Sequence, residues 1–328
     1  MRELQSQSMS MNHLAIEQSI LRTIIFFDLL EYPLTPLAIW KNLFFSDSPT
    51  ALTLSDYMKC LRESPFLSQH IEEKSGYYFL KGRDSIVALR LERAVITDHK
   101  YRVARRMIAL FARVPFVRMV CVCNPSLGLN AAREGSDIDL FIVASARHLW
   151  FVRLLCTGLA QVFGIRPHKD RLRDTFCLSF YVGDDALDLS GLQLPGWVPD
   201  MYWVYWIPLC VPIYDDSTYD NFFNANEWVR QFLPHISSYN TIPRRRVVLS
   251  GASRMGKRCA EKIVSVGGTF VERSARAFQL CIMPLVIREK MNEGTGVVVT
   301  DSVLKFHVAD RRGDIQEQFL KKCAEYNM

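Results

Sequence analysis

The chain has no long uninterrupted apolar run. Its longest apolar stretches, MYWVYWIPLCVPIY (201–214) and AFQLCIMPLVI (277–287), are broken by prolines. Both fall short of the roughly 18 residues a spanning helix needs. That argues against a transmembrane protein and gives the expectation of no membrane partner. The first residues, MRELQSQSMS, lack a basic stretch followed by an apolar one, so no signal peptide is expected. Zinc-finger spacing of Cys and His is missing, and so is a CxxC; Cys121 and Cys123 instead alternate along one predicted strand. The nine cysteines are odd in number and sit mostly in apolar runs, as reduced, buried thiols do, and this predicts a cytoplasmic protein. Ser–His–Asp and Cys–His hydrolase spacings are also absent, with His148 and His168 outside any ligand pattern.

What is present is the composition of an ordinary globular chain: 328 residues, 49% hydrophobic and 23% charged. Such a length predicts two or three domains. The net charge of +6 is unevenly spread, at +3 over 1–115, −4 over 116–240 and +7 over 241–328. An acidic middle suits a cation site. A basic tail suits phosphates or RNA, or is simply a set of solvated helix faces.

Apolar positions at three- and four-residue spacing predict a helix over 13–31. A second follows, with Thr35 as N-cap and Pro36 at the first helical position. A third is capped at Thr53 or Ser55. The alternating segment IEEKSGYYFLKG then folds back at Ser75-Gly76 as a hairpin. Three short helices and a ribbon predict a winged-helix domain over 1–82. Its third helix offers only Lys59 and Arg62 against Asp56 and Glu63, so any nucleic-acid binding is expected to be weak. A connecting helix is expected over 83–115, ended by Pro115. Strands are predicted at 116–123, 138–144 and 175–182, with an amphipathic helix before the third that is closed by Gly164. The core is placed at 116–215 and a helical region at 216–328. The fold class is α+β, with a mixed sheet and helices.

Asp137 and Asp139 flank one apolar residue at the start of the second of these strands. Side chains alternate with period two, so both carboxylates point the same way. Close like charges raise each other's pKa unless a cation lies between them. Mg²⁺ or Mn²⁺ would serve, held by the pair together with phosphate oxygens. A bare D-x-D is also a common strand start without a role. The segment 251–258, GASRMGKR, mimics a P-loop but carries Arg258 where Ser or Thr should bind magnesium. It reads better as the opening of a basic helix. The aromatic run 197–208 is expected to pack between the core and the C-terminal helices, with base stacking as the alternative.

The stretch SLGLNAAREGSDIDLFIV carries more. It resembles the polymerase-β-type nucleotidyltransferase superfamily, whose members have a Gly-Ser turn, about ten residues, then Asp-x-Asp on the next strand. Ser126, Leu127, Ala132, Arg133 and all of SDIDL (136–140) match in register. The resemblance implies a Mg²⁺- or Mn²⁺-dependent transfer of a nucleotidyl group from a nucleoside triphosphate to a hydroxyl acceptor, which the sequence does not identify. Asp137 and Asp139 would bind the metal, and Ser126, Leu127 and Ser136 would lie against the nucleotide. Two positions depart from the pattern. Pro125 stands where the family has glycine. The third strand offers Ser179, or Cys177 in another register, where catalytic members have a third carboxylate; Asp174, Asp184, Asp185 and Asp188 are the nearby substitutes. The alternative is a catalytically degenerate nucleotide-binding or scaffold protein.

Overall fold

The computed structural model of the chain describes residues 2–45, 52–123, 125–166, 172–196 and 199–328. His168 and the first two residues of the aromatic run lie outside them. Helix α1 (Arg2–Leu29) buries Ile16, Ile20, Ile24 and Phe27, the expected stripe. The chain leaves it through Glu31, at φ +53, just ahead of Pro33, which disfavours helical backbone before it. Thr35 accepts from Ala38 N at 3.2 Å and opens α2 (Pro36–Lys41). Thr53 rather than Ser55 caps α3 (Leu54–Glu63), accepting from Asp56 N at 3.2 Å. A further helix, α4 (Pro65–His70), escaped the sequence reading because six residues show no periodicity. Its Ser64 cap and Pro65 were the available signal.

Strands β1 (Ile71–Lys74) and β2 (Tyr77–Leu80) pair antiparallel around Ser75 and Gly76. Both turn residues have positive φ, +57 and +79, as a two-residue type I′ hairpin demands. Leu34 bridges to Tyr78 and adds a third short segment to this ribbon. Helix α5 (Ser85–Phe111) follows and ends four residues before Pro115. Its arginines turn back toward the N-terminal elements: Arg93 pairs with Glu31 at 2.6 Å, and Arg90 lies over the rings of Tyr32 and Tyr77.

The remaining elements, in chain order, are β3 (Val117–Val122), α6 (Pro125–Gly128), β4 (Ile138–Ala144), α7 (Leu149–Val162), β5 (Phe176–Gly183), α8 (Met201–Trp206), β6 (Val211–Asp215), α9 (Tyr219–Ala225), α10 (Gly251–Val266), α11 (Gly268–Cys281), α12 (Leu285–Glu289), β7 (Val297–Val299), β8 (Val303–Phe306) and α13 (Arg312–Glu325). Six strands form one sheet in the order β6-β3-β4-β5-β8-β7. Only the β4–β5 pairing is parallel, so the sheet is mixed and the class is α+β. The crossover between the parallel strands is α7, and Gly164, at φ +60, closes it as expected.

Alternation divides the sheet into two faces. Met119, Cys121, Phe141, Val143, Phe180 and Val182 share a core with α1, α8 and α13. There Phe26 stacks on Tyr205 at 4.2 Å, and Phe319 meets Phe26 edge-on at 6.2 Å. Val120, Val122, Ile138, Leu140 and Ile142 face the other way, under α5, α7 and part of α10 and α11. The N-terminal helices therefore complete the sheet's first core.

The C-terminal region is not all helix. Its VVV and VLKF segments are too short to read as strands on their own, and they extend the sheet beyond β5. The P-loop look-alike lies within α10. Its Lys257 is buried, donating to Val117 O and, at 2.9 Å, to Tyr214 Oη. Burial pushes this ammonium down to about 8. The lysine of the motif thus packs against the sheet, and no phosphate cradle forms there.

Candidate functional site

The turn before β4 is tied to α5 by groups one helical turn apart. Tyr101 Oη donates to Leu127 O at 3.1 Å, Thr97 Oγ1 accepts from Ala132 N at 2.9 Å, and the buried Lys100 donates to Ser136 O at 2.6 Å. Gly128 faces the backbone of the segment before β6: a Cβ there would sit 2.6 Å from Leu209 O, so only glycine fits. Ile138 N then donates to Thr175 O at 2.8 Å and Cys123 N to Asp139 O at 3.1 Å. The start of β4 is thereby held by both neighbouring strands, with Ile138 on one face and Asp137 and Asp139 on the other.

A bulge in β5 sets what the carboxylates meet. Asp139 aligns with Cys177, but Phe141 aligns with Phe180, so β5 has one residue more than β4 over this step. Period two puts Cys177 and Ser179 on the same side, with Sγ and Oγ 3.2 Å apart, and the extra residue turns Phe180 to that side as well. The two candidates for the third position therefore lie beside the carboxylates together. One ligand atom each from Asp137, Asp139 and Cys177 lie within 4.8 Å of one another. The four substitute aspartates do not join them. Asp174 pairs with His99 at 3.1 Å and Lys100 at 3.3 Å, Asp184 accepts from Ala146 N, Asp188 accepts from Ser190 N, and Asp185 is exposed. Among the described residues, the third donor beside the pair is a thiol.

This cluster opens into a cavity of about 580 Å³. The strand wall carries Asp137, Asp139 and Ser179; the helix wall carries Tyr202, Trp203 and Trp206 of α8; Lys305, His307 and the residues leading into α13 close it. The two tryptophans stack at 4.7 Å. The described part of the aromatic run packs against α13, as expected, and against α1, and it also lines the cavity.

The charged side of the cavity is built by Arg312, only 4% exposed. It donates to Asp310, to the buried Asp200 at 3.0 Å, to Thr295 Oγ1 and to Leu192 O. Asp200 in turn caps α8 by accepting from Trp203 N at 3.1 Å. One guanidinium thus joins the starts of α8 and α13 to the segment before β7. Burial raises the Asp310 carboxyl, but the hydrogen bonds and charge of Arg312 outweigh it and leave the group below its ordinary value. Lys305 is more buried still, 3.8 Å from Asp310 and over the Trp203 ring, and burial together with the charge of Arg312 brings its ammonium down to about 7. His307 bonds Ser179 Oγ through Nε2 at 3.1 Å, and its buried Nδ1 has no hydrogen-bond partner among the described residues. Burial, then the neighbouring Lys305, lowers His307 to about 4, so the ring is neutral near pH 7.

Burial also raises Asp137, and it raises the Cys177 thiol to about 12, helped by the Asp139 charge. Burial penalises charge on both groups, and a divalent ion between them would relieve that penalty. The donor set fits such an ion. Two carboxylates suit Mg²⁺ or Mn²⁺, and a thiol shifts preference toward softer metals.

The other expected site residues lie elsewhere. Ser126 is in α6 and accepts from Ala131 N through its backbone oxygen. Leu127 is buried in the core of the sheet's second face. Ser136 Oγ donates to Arg133 O at 2.9 Å. None of the three lines the cavity. Pro125 opens α6, and its ring lies outside the described side chains. Sequence reading missed Lys305, His307 and Arg312 as site residues. The K-x-H of β8 repeats the two-residue spacing of D-x-D, but nothing local says which strand it will pair with. No family model matches the chain, nor does any curated protein or solved structure.

Proposed function

We propose that the cavity binds a nucleoside triphosphate with Mg²⁺ or Mn²⁺ and transfers its nucleotidyl group to a hydroxyl acceptor. The observation that carries this reading is one cavity with Asp137 and Asp139 on its strand wall, Cys177 beside them, and Lys305, His307 and Arg311 on another wall. Asp137, Asp139 and Cys177 would hold the cation, which supplies charge neutralisation at the phosphates. Lys305 and the exposed Arg311 attract the triphosphate, and Arg312 positions Lys305 by holding Asp310. The stacked Trp203–Trp206 pair gives the base an aromatic wall. Strand order and the parallel β4–β5 pair support the superfamily resemblance. Helices α1–α3 with the bridged ribbon support a winged helix, whose α3 exposes Lys59 and Arg62 beside Asp56 and Glu63. Its nucleic-acid binding is expected to be weak and salt-sensitive.

A second reading is favoured by one specific observation. The place of a third carboxylate is taken by Cys177 and Ser179, neither of which is a carboxylate base for the acceptor. On that reading the chain binds the nucleotide and does not transfer it. A screen of the four labelled triphosphates with Mg²⁺ or Mn²⁺, against RNA, protein and small-hydroxyl acceptors, separates the two. Label transfer that is lost in Asp137→Asn/Asp139→Asn supports the enzyme. Cation-dependent triphosphate binding without transfer supports the second reading, and no binding at all overturns both.

A further inference from the structure

The outer surface of α10, α11 and α12 is the least like a solvated face of any part of the molecule. Met255, Ile263, Val266 and Phe270 are 67%, 73%, 91% and 77% exposed. Spacing of eight and three residues keeps Met255, Ile263 and Val266 on one side of α10, and Phe270 is exposed at the start of α11 just beyond it. Phe278, Ile282, Leu285 and Val286 continue the exposed apolar surface through the end of α11 into α12. A row of this length is unusual on a lone soluble chain and marks a covered surface.

The charges beside it are sorted. The acid of α10 points inward, Glu261 accepting from Phe116 N at 2.7 Å and Arg118 at 2.8 Å. The acid of α11 does the same, Glu272 accepting from Trp150 N at 2.7 Å and Phe151 N at 2.9 Å at the start of α7. Arg254, Arg258, Lys262 and Arg273 are left exposed. The two long helices therefore turn their acids into the protein and keep apolar and basic side chains outside.

We propose that α10–α12 dock on an anionic lipid surface, with the apolar stripe entering the headgroup boundary and the arginines and lysine meeting acidic headgroups. An interfacial helix has this make-up, an apolar stripe beside Lys and Arg. A second copy seated on the same face would set these cations against their own images. RNA would gain nothing from Ile263, Val266 or Met255, because phosphate and base contacts use polar or flat aromatic groups. The inference is independent of the nucleotide cavity. It departs from the sequence expectation of no membrane partner, which followed from the lack of a spanning run; a helix lying on a surface needs none.

The test is co-sedimentation of the full chain with phosphatidylcholine vesicles, with and without phosphatidylglycerol. The expected result is at least roughly tenfold stronger partition onto the anionic vesicles, falling as salt rises. Val266→Glu/Phe270→Glu and Arg254→Glu/Arg258→Glu/Lys262→Glu should each lower it about tenfold or more while circular dichroism stays unchanged, since all five positions are exposed. Salt titration of the native chain reads the same dependence without a variant. Equal partition onto both vesicles, or onto neither, overturns the proposal. So does a dimer in sedimentation equilibrium that Val266→Glu/Phe270→Glu dissociates, which assigns the face to a second copy. RNA binding lost in the charge-reversal variant, with vesicles ignored, overturns it as well.

Discussion

Ser179 Oγ lies 3.1 Å from His307 Nε2, although 128 residues separate them. The contact joins the strand beside the carboxylates to the end of the strand that carries the cavity's basic groups. It also fixes one nitrogen of a buried, neutral imidazole while the other points at no partner among the described residues.

That imidazole sets a pH dependence. His307 falls from an ordinary 6.5 to about 4 in the folded chain. Between these values the unfolded chain binds a proton that the folded chain refuses, so stability rises with pH through this window. The contribution is present above pH 6.5 and lost as pH falls toward 4. Urea unfolding at pH 7 and pH 5 should show the native chain losing about 2 kcal/mol more than His307→Gln. Equal losses would mean that the ring titrates normally.

A cation held by Asp137, Asp139 and Cys177 would register as a ligand-linked stabilisation. With triphosphate and Mg²⁺ or Mn²⁺ at about a hundred times their dissociation constant, the gain is about 2.7 kcal/mol, or roughly 4 °C in Tm for a chain of this length. Asp137→Asn/Asp139→Asn should abolish the shift and leave the unliganded Tm within a few degrees. A double variant that retains the full shift would place the cation elsewhere.

Cys177 offers a sharper test, because its thiol is the third donor beside the pair. Cys177→Asp should tighten Mg²⁺ binding relative to Mn²⁺, replacing a soft donor by a hard one. If transfer is limited by the missing third carboxylate, the same variant should raise the transfer rate by about tenfold or more. Isothermal titration and a labelled-triphosphate assay measure the two effects separately. A metal preference that does not move would show that the thiol stays outside the coordination sphere.

Arg312 stands between Asp200 and Asp310, both sequestered from solvent to different degrees. Arg312→Met removes the charge but keeps much of the side-chain volume, leaving the buried Asp200 carboxylate uncompensated. The expected cost is about 3–5 kcal/mol in urea unfolding, with part recovered in Arg312→Met/Asp200→Asn. Strict additivity of the two single changes would show that the pair is not coupled.

The parts of the structure legible in the sequence are those decided by neighbours in the chain. Thr35 before Pro36, Ser75-Gly76 between alternating residues, and Gly164 after α7 are local choices of backbone and cap. The D-x-D pair is equally local, because a period of two puts Asp137 and Asp139 on one side of any strand. The bulge in β5 is not, since it depends on how β5 meets β4, and it settles that Phe180 turns to the side of Cys177 and Ser179. The pairing of β8 with β5 is a long-range event, so Lys305 and His307 could be seen to share a face but not to face the carboxylates. Leu127 fits the motif's register in the sequence, and the fold buries its side chain in the core of the sheet's second face.

The Arg312 network and the β5–β8 pairing also impose an order in time. Asp137, Asp139 and Cys177 are made first, but the lysine, imidazole and guanidinium that line or brace the cavity belong to residues 305–312. While the chain is being synthesised, the acidic half exists for more than a hundred residues without its counterpart. Asp200 waits equally long for the cation that neutralises it. The cavity can close only after residue 312 has left the ribosome, so its two walls first meet more than a hundred residues after the carboxylates are made.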